Sequence, residues 1–315
     1  MVIKLGARNF GASGFRAFWS AQTGVTRGIV LMMVSTVGFA TMHVLIRYIS
    51  GELHPIQIAF FRNFFGLVVF LPWFLRYGLA PLRTKQLKLH ALRAGLNVCA
   101  MFAFFSALSM IPVTRVTALG FTAPLFTAVL SVLVLGEVFR LRRWTATLCG
   151  FIGTLVILRP GFAEIDLGSM LVLFSALLWG CTLMVIKVLA RTESSLTITS
   201  YMNILLTLLS LVPALLVWRT PEGAQWFWLL AIGVLGTLAQ VAITQSLKEA
   251  DTGVVMPFDF LKLIWVAIMG YLFFGETPGP FLWLGGALVF ASTTYIAIRE
   301  SRLARERRGE RRNRS

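Results

Sequence analysis

Long apolar runs alternate with short polar connections along nearly the whole chain. Read between charged residues and Pro/Gly breaks, the runs fall near 27–50, 55–77, 89–110, 112–136, 142–159, 167–190, 196–219, 224–248, 252–275 and 279–298. Each is close to the roughly 20 apolar residues needed to carry an α-helix across about 30 Å of hydrocarbon. The pattern predicts an all-α integral membrane protein with ten transmembrane helices. No connection is long enough for a folded soluble domain, so whatever the protein does must use side chains on the helices.

Composition agrees. The 315 residues are 57% hydrophobic and 13% charged, with a mean hydropathy of +0.79, against an apolar share of roughly 45–50% in soluble domains. The formal net charge of +16 does not read as a nucleic-acid footprint. The basic residues lie between apolar segments and in the tail "RESRLARERRGERRNRS", not on a polar face with aromatic stacking partners. Such a tail fixes topology and meets anionic membrane lipid. Cys99, Cys149 and Cys181 fall inside apolar runs and read as small core residues. His43, His54 and His90 are too scattered for a metal motif, so no metal or cofactor is expected. No removable signal peptide is apparent before Arg27, and the first helix is expected to act as an uncleaved signal.

Ten helices place both termini on one side. Lys4, Arg8, Arg16 and Arg27 precede the first helix, Arg76, Arg83, Lys85 and Lys88 surround the second connection, and Arg140, Arg142 and Arg143 fill the fourth. The alternate connections "SGELHP", "SMIPV" and "GETPGP" carry almost no Lys or Arg. The positive-inside rule puts both termini in the cytoplasm, and a bacterial inner membrane is the expected location.

The chain also repeats itself. Sliding the sequence along itself until Leu133 meets Leu272 also brings Gly136, Glu137, Trp144, Phe151, Thr154 and Ile157 onto Gly275, Glu276, Trp283, Phe290, Thr293 and Ile296 without a gap. Near the start of each half, a slide longer by a single position brings Ser35, Ile46, Arg47 and Asn63 onto Ser175, Ile186, Lys187 and Asn203. The expected organisation is a cytoplasmic segment 1–26, a five-helix repeat 27–159, a second repeat 160–298 and a basic tail 299–315. An odd number of helices per repeat makes the second copy enter from the opposite side, giving two inverted repeats. The first Gly-Glu corner is then cytoplasmic and rich in arginine, while its copy faces outward and has none.

The segments "FTAPLFTAVLSVLVLGE" and "RRWTATLCGFIGTLVILRPG", with "PFDFLKLIWVAIMGYLFFGE" and "WLGGALVF" in the second half, resemble the EamA-type branch of the drug/metabolite transporter superfamily. The resemblance covers roughly residues 27–298. It implies a secondary transporter of amino acids and their derivatives, S-adenosylmethionine-like compounds, vitamins such as riboflavin, or nucleotide-linked molecules. It also implies that Glu137 and Glu276, beside Gly136 and Gly275, hold helix corners.

Charges inside membrane helices are costly and ask for a reason. Arg47 and Lys187 lie near helix ends, where snorkelling explains them. Asp259 and Lys262 lie about 10 and 15 Å into the ninth helix at 1.5 Å per residue, as a self-neutralising i,i+3 pair or as cavity residues. Arg62 is about 10 Å into the second helix, and Met202 occupies its place in the other half. Arg115, near the outer end of the fourth helix, serves either a cavity or an interfacial anchor. Pro124, about 18 Å into that helix, is expected to kink it by depriving the Gly120 carbonyl of a partner. Asn63, Asn97, Asn203, Gln240 and Gln245 supply hydrogen bonds to a ligand or between helices. Arg62, Arg115, Asp259, Lys262, Asn97, Asn203 and Gln240 are the candidate substrate-binding residues, and their balance of charge suits an anionic or zwitterionic metabolite.

The leading expectation is therefore alternating access to a midplane site for a small-molecule substrate. No Walker A loop is present to couple it to ATP, and a homodimer is one expected assembly. A membrane scaffold or lipid-binding protein is the alternative, though it leaves the charged midplane pair unexplained. An intramembrane transferase would need a converging nucleophile and base or a metal cluster, which the sequence does not display.

Overall fold

The computed structural model describes residues 22–78, 84, 86–135, 141–159, 166–189, 192–193, 195–250 and 252–312. These residues form twelve α-helices and, among them, no strand. In chain order they are α1 (Gly24–Ile49), α2 (Pro55–Tyr77), α3 (Leu87–Met110), α4 (Val113–Gly120), α5 (Ala123–Leu135), α6 (Leu141–Leu158), α7 (Leu167–Leu189), α8 (Ser195–Leu216), α9 (Gln225–Glu249), α10 (Thr252–Asp259), α11 (Leu261–Phe274) and α12 (Pro280–Arg312). By length and composition, α1, α3, α7 and α9 can each cross a membrane unaided.

Eight of the apolar runs form one helix each, and the fourth and ninth are each split. Phe121 and Thr122 separate α4 from α5, and Phe260 separates α10 from α11. The role expected for Pro124 changes accordingly. The chain has already broken before it, and Pro124 sits in the first turn of α5, where a missing N–H costs little because no carbonyl awaits it. Thr122 serves the break itself, its hydroxyl donating to the Leu119 carbonyl at 2.7 Å and its own carbonyl accepting from Leu125 N at 2.9 Å. A further departure is at the C-terminus, where α12 runs through the basic tail to Arg312 instead of ending near 298.

The outside, unlike that of a soluble protein, is apolar, and polar groups join an apolar core inside. Leu216 and Leu272 are 83% and 70% exposed, while Gln57, Asn63, Thr122 and Ser246 are fully buried. Apolar side chains on the outside and hydrogen-bonded polar groups inside are what hydrocarbon solvent selects.

The helices pack as α1 along α9, α3 along α7, α2 along α8 and α6 along α12. In the first interface Ser35 donates its hydroxyl to the Ala239 carbonyl at 2.9 Å, and in the second Ser175 donates to the Ala100 carbonyl at 2.7 Å. The α6–α12 crossing depends on absent side chains. A Cβ on Gly153 would lie 2.7 Å from the Gly285 oxygen, and one on Gly285 would lie 2.5 Å from the Gly153 oxygen.

Each end of the bundle is tied by side chains. At one end Gln225 Nε2 donates to Glu52 at 2.6 Å, and Gln57 bonds the backbone of Arg219. At the other, Gln86 donates to Thr192, Thr84 donates to Glu193 at 2.6 Å, and Arg27 pairs with Glu249 at 2.9 Å.

The second Gly-Glu corner belongs to the first of these ends. Gly275 caps α11 at φ +67°, a conformation that favours glycine, and its N–H bonds the Tyr271 carbonyl at 2.9 Å. The Glu276 carboxylate accepts from Val113 N at 3.0 Å and lies 3.7 Å from Arg47, whose other guanidinium nitrogen donates to the Leu108 carbonyl at 3.0 Å. Burial pushes the Glu276 carboxyl upward, opposed by the Val113 N–H and by Arg47. Arg47 therefore braces a corner instead of snorkelling to water. Gly136, Glu137 and the side chain of Lys187 lie outside the described residues.

Candidate functional site

The two broken spans meet. Phe121, between α4 and α5, and Phe260, between α10 and α11, are brought together by the slide that superposes the Gly-Glu corners, and in the fold their rings touch with centroids 5.9 Å apart. Phe260 also packs on Phe290 of α12 at 4.4 Å. A broken helix leaves backbone groups unsatisfied and widens the local path of the chain. Here both breaks are shallow, since Phe121 (φ −66°, ψ −5°) and Phe260 (φ −64°, ψ −23°) stay right-handed, and what their contact brings together is the two rings.

Charge stands on one side of that contact. Asp259 ends α10 and Lys262 opens α11, so the pair straddles the break instead of lying in one continuous helix. Lys262 Nζ is 3.4 Å from both carboxylate oxygens of Asp259. It also sits 4.8 Å above the ring of Phe121, a distance at which a desolvated ammonium is attracted to the aromatic face. Their side chains keep 18% and 13% exposure, so the pair is neither sealed in the core nor open to bulk solvent.

Arg62 approaches from α2. Its guanidinium donates to Asn63 Oδ1 at 2.9 Å and lies over Gly236 of α9, where a Cβ would come within 3.2 Å of Arg62 Nε and 2.5 Å of Met42 Sδ. Among the described residues no carboxylate lies within ion-pair distance of Arg62. Beside it in α1, His43 is 8% exposed and packs 5.0 Å from Phe104 of α3. Lys262 and Arg62 are both within electrostatic reach of His43. Phe104 in turn lies against the end of α4, 3.5 Å from where a Cβ on Gly120 would stand. Five spans thus supply His43, Arg62, Phe104, Phe121 and Lys262 to one region.

Other candidates lie elsewhere or at its margin. Arg115 pairs with Asp166 at 2.9 Å, and Asp166 also accepts from Ser169 N at 2.7 Å at the start of α7. Of its two expected roles, Arg115 thus has the geometry of an end anchor. Asn97 and Asn203 are buried at 4% and 5% exposure, with Asn203 Oδ1 4.0 Å from where a Cβ on Gly66 would stand. Gln240 is half-buried on α9. Among the described residues no group of three or more His, Cys, Asp or Glu could hold a metal ion.

The chain matches the model of the EamA-like transporter family twice, over residues 26–159 and 166–298. It belongs to that family. This EamA-like transporter is 34% identical over 287 residues to a riboflavin transporter of Vibrio cholerae, covering 90% of this chain and 96% of that one. It is 29% identical over 275 residues to an S-adenosylmethionine uptake transporter of Rickettsia prowazekii, covering 87% and 94%. A crystal structure with 18% identity shares the fold at a TM-score of 0.59, over 88% of this chain and 98% of the other. The EamA-like chain is a multi-pass membrane transporter of a small molecule, not an enzyme.

Several features of this EamA-like site escape a reading of the sequence. A single histidine in an apolar run carries no pattern, so His43 is passed over. The equivalence of Phe121 and Phe260 follows from the same slide as the Gly-Glu corners, but phenylalanines are too common in this chain to draw notice alone. Arg93, 6% exposed with its guanidinium bonded to the Ile198 carbonyl at 2.8 Å, is missed as well; it ties α3 to α8.

Proposed function

We propose that the protein is a secondary transporter that carries a small anionic or zwitterionic metabolite by alternating access. In this reading the two halves, 27–159 and 160–298, are inverted repeats that rock about the paired breaks, with both termini in the cytoplasm of a bacterium and the protein in its inner membrane. The observation that carries it is Lys262, a cation beside the two broken spans and laid over the phenyl ring of the opposite break. Discontinuous helices at a repeat interface are where transporters bind cargo, because freed backbone and buried charge can be turned toward it.

Further support comes from equivalent bonds in the two halves. Ser35 and Ser175 correspond to one another in the repeat, and so do the carbonyls they bond, those of Ala239 and Ala100. The end ties match in the same way, since Gln86 corresponds to Gln225 and their partners Thr192 and Glu52 correspond as well. The preference for an anionic group follows from charge. Asp259 offsets Lys262, which leaves Arg62 to be balanced by cargo. Riboflavin and S-adenosylmethionine, named as cargoes of the relatives, are the first two compounds to test; only the second carries a carboxylate, so it alone probes the charge preference. On this reading the basic end of α12 would meet anionic head groups on the cytoplasmic side.

Flux of labelled riboflavin and S-adenosylmethionine into sealed proteoliposomes tests this directly. Uptake above that of protein-free vesicles, lost in Lys262→Ala protein that elutes as a single species, is the expected result. Binding of lipid without flux of any metabolite would favour the scaffold reading instead.

A further inference from the structure

His43 is a polar group at the centre whose hydrogen-bonding edge the fold leaves unused. Its Nδ1 is buried without a hydrogen-bond partner, and among the described residues no hydrogen bond reaches Nε2. Many buried hydroxyls around it are satisfied, Ser35 by the Ala239 carbonyl, Thr36 by the Met33 carbonyl and Ser246 by the Gly28 carbonyl, while Thr182 Oγ1 and Trp265 Nε1 share its lack of a partner. A membrane interior penalises an unpaired polar atom, so a hydrogen-bonding partner arriving from outside would gain at His43 what the fold leaves unmade.

The surroundings describe that partner. Phe39 and Phe104 flank the imidazole at 6.4 and 5.0 Å, and Phe104 abuts the end of α4, which leads directly into Phe121. Flat apolar faces therefore surround one hydrogen-bonding edge. Arg62 and Lys262 stand as the charged groups that act on His43. An aliphatic amino acid would fill the charged positions and leave the rings and the imidazole edge idle. A planar nitrogen heterocycle with a polar or anionic tail uses all of them, its ring packed among the phenyl groups and its edge bonded to His43.

We infer that His43 is a specificity-determining residue which hydrogen-bonds the ring edge of a planar heterocyclic cargo. This rests on the transport reading above and goes beyond it by assigning the residue that separates heterocycles from aliphatic zwitterions. The imidazole acts as a donor and acceptor on the bound ring, and no covalent step is involved.

The test uses the full-length protein in detergent and in proteoliposomes, with riboflavin and S-adenosylmethionine as heterocyclic probes and glutamate as the aliphatic one. His43→Phe keeps the aromatic packing and removes the hydrogen-bonding edge, while His43→Gln keeps an edge and removes the ring. The Phe variant should bind the heterocycle about tenfold more weakly, the size of one lost hydrogen bond left unpaired in the complex. The Gln variant should recover most of that loss. Without ligand, the Phe variant should melt no lower than wild type, because no internal bond is broken.

Equal weakening in both variants, or a marked loss of unliganded stability in the Phe variant, would assign His43 to packing and overturn the inference. Wild-type flux of glutamate but of neither heterocycle would also overturn it while leaving the transport reading intact. Flux of nothing, with no binding, would remove the transport reading itself.

Discussion

The break between α4 and α5 and the break between α10 and α11 occupy equivalent places, yet they are built from different chemistry. The first is neutral and self-contained. Thr122 turns its hydroxyl back to the Leu119 carbonyl, and Pro124 opens the next helix without needing a backbone partner. The second is as slight in the backbone, Phe260 staying right-handed at φ −64° and ψ −23° as Phe121 does at φ −66° and ψ −5°, but an acid and a base stand on its two sides. Its lysine reaches past its own helix to the phenyl ring of the first break. The shared feature, a phenylalanine at the discontinuity, is architectural. The unshared feature, the charge, is where the asymmetry of a cargo can be read.

The sharpest way to break this comparison is to remove the charge or move it across. Lys262→Ala should lower flux by at least about tenfold, since a charged hydrogen bond contributes about 1.5–3 kcal/mol. Position 123 is the equivalent of 262, so Ala123→Lys in that background places the ammonium at the neutral break. Flux should stay lost, because Asp259 remains on the other side; recovery would mean that either break can carry the charge. Next in size, Arg62→Met, which copies the second half, should weaken binding of an anionic cargo by roughly tenfold while expression is unchanged. Wild-type affinity in a titration would exclude Arg62 from the cargo.

Stability separates the two phenylalanines. Core Phe→Ala changes cost about 3–5 kcal/mol, and an aromatic pair adds about 0.5–1.5 kcal/mol. Phe260 has two ring partners within this cluster and Phe121 has one, together with Lys262. Phe260→Ala should therefore lower the thermal midpoint in detergent at least as far as Phe121→Ala. The reverse order would mean that the lysine contact outweighs the second ring. The smallest effect expected is at the equivalent serines. Ser35→Ala and Ser175→Ala should each cost about 0.5–1.5 kcal/mol and match one another, and a large difference would limit the likeness of the halves to sequence.

Much of the frame was legible in the sequence because membrane crossing imposes a length. The expected run 224–248 corresponds to Gln225–Glu249, and 55–77 to Pro55–Tyr77. The helix breaks were not legible. Nothing at Phe121 or Phe260 forbids a helix, the nearby prolines lie outside the breaks themselves, and packing between distant segments decides where the chain gives way. Lys262, Asp259 and Arg62 were legible as charges in hydrocarbon, and the structure puts them at or near the breaks. The pairing of Arg115 was not, because Asp166 lies in a connection far along the chain, just before α7. Arg47 departs from the snorkelling expected of it for the same reason, since its partners come from α3 and from the Glu276 corner.

The unbroken course of α12 makes it a lever. It crosses α6 with very little clearance at Gly285 and then continues to Arg312, about 40 Å further on at 1.5 Å per residue. A tilt of about 10° at that crossing would swing the tip through roughly 7 Å, a displacement set by helix rise alone. A spin label at the end of the basic tail would therefore act as a pointer, magnifying on the outside of the bundle a rotation too small to resolve where it begins.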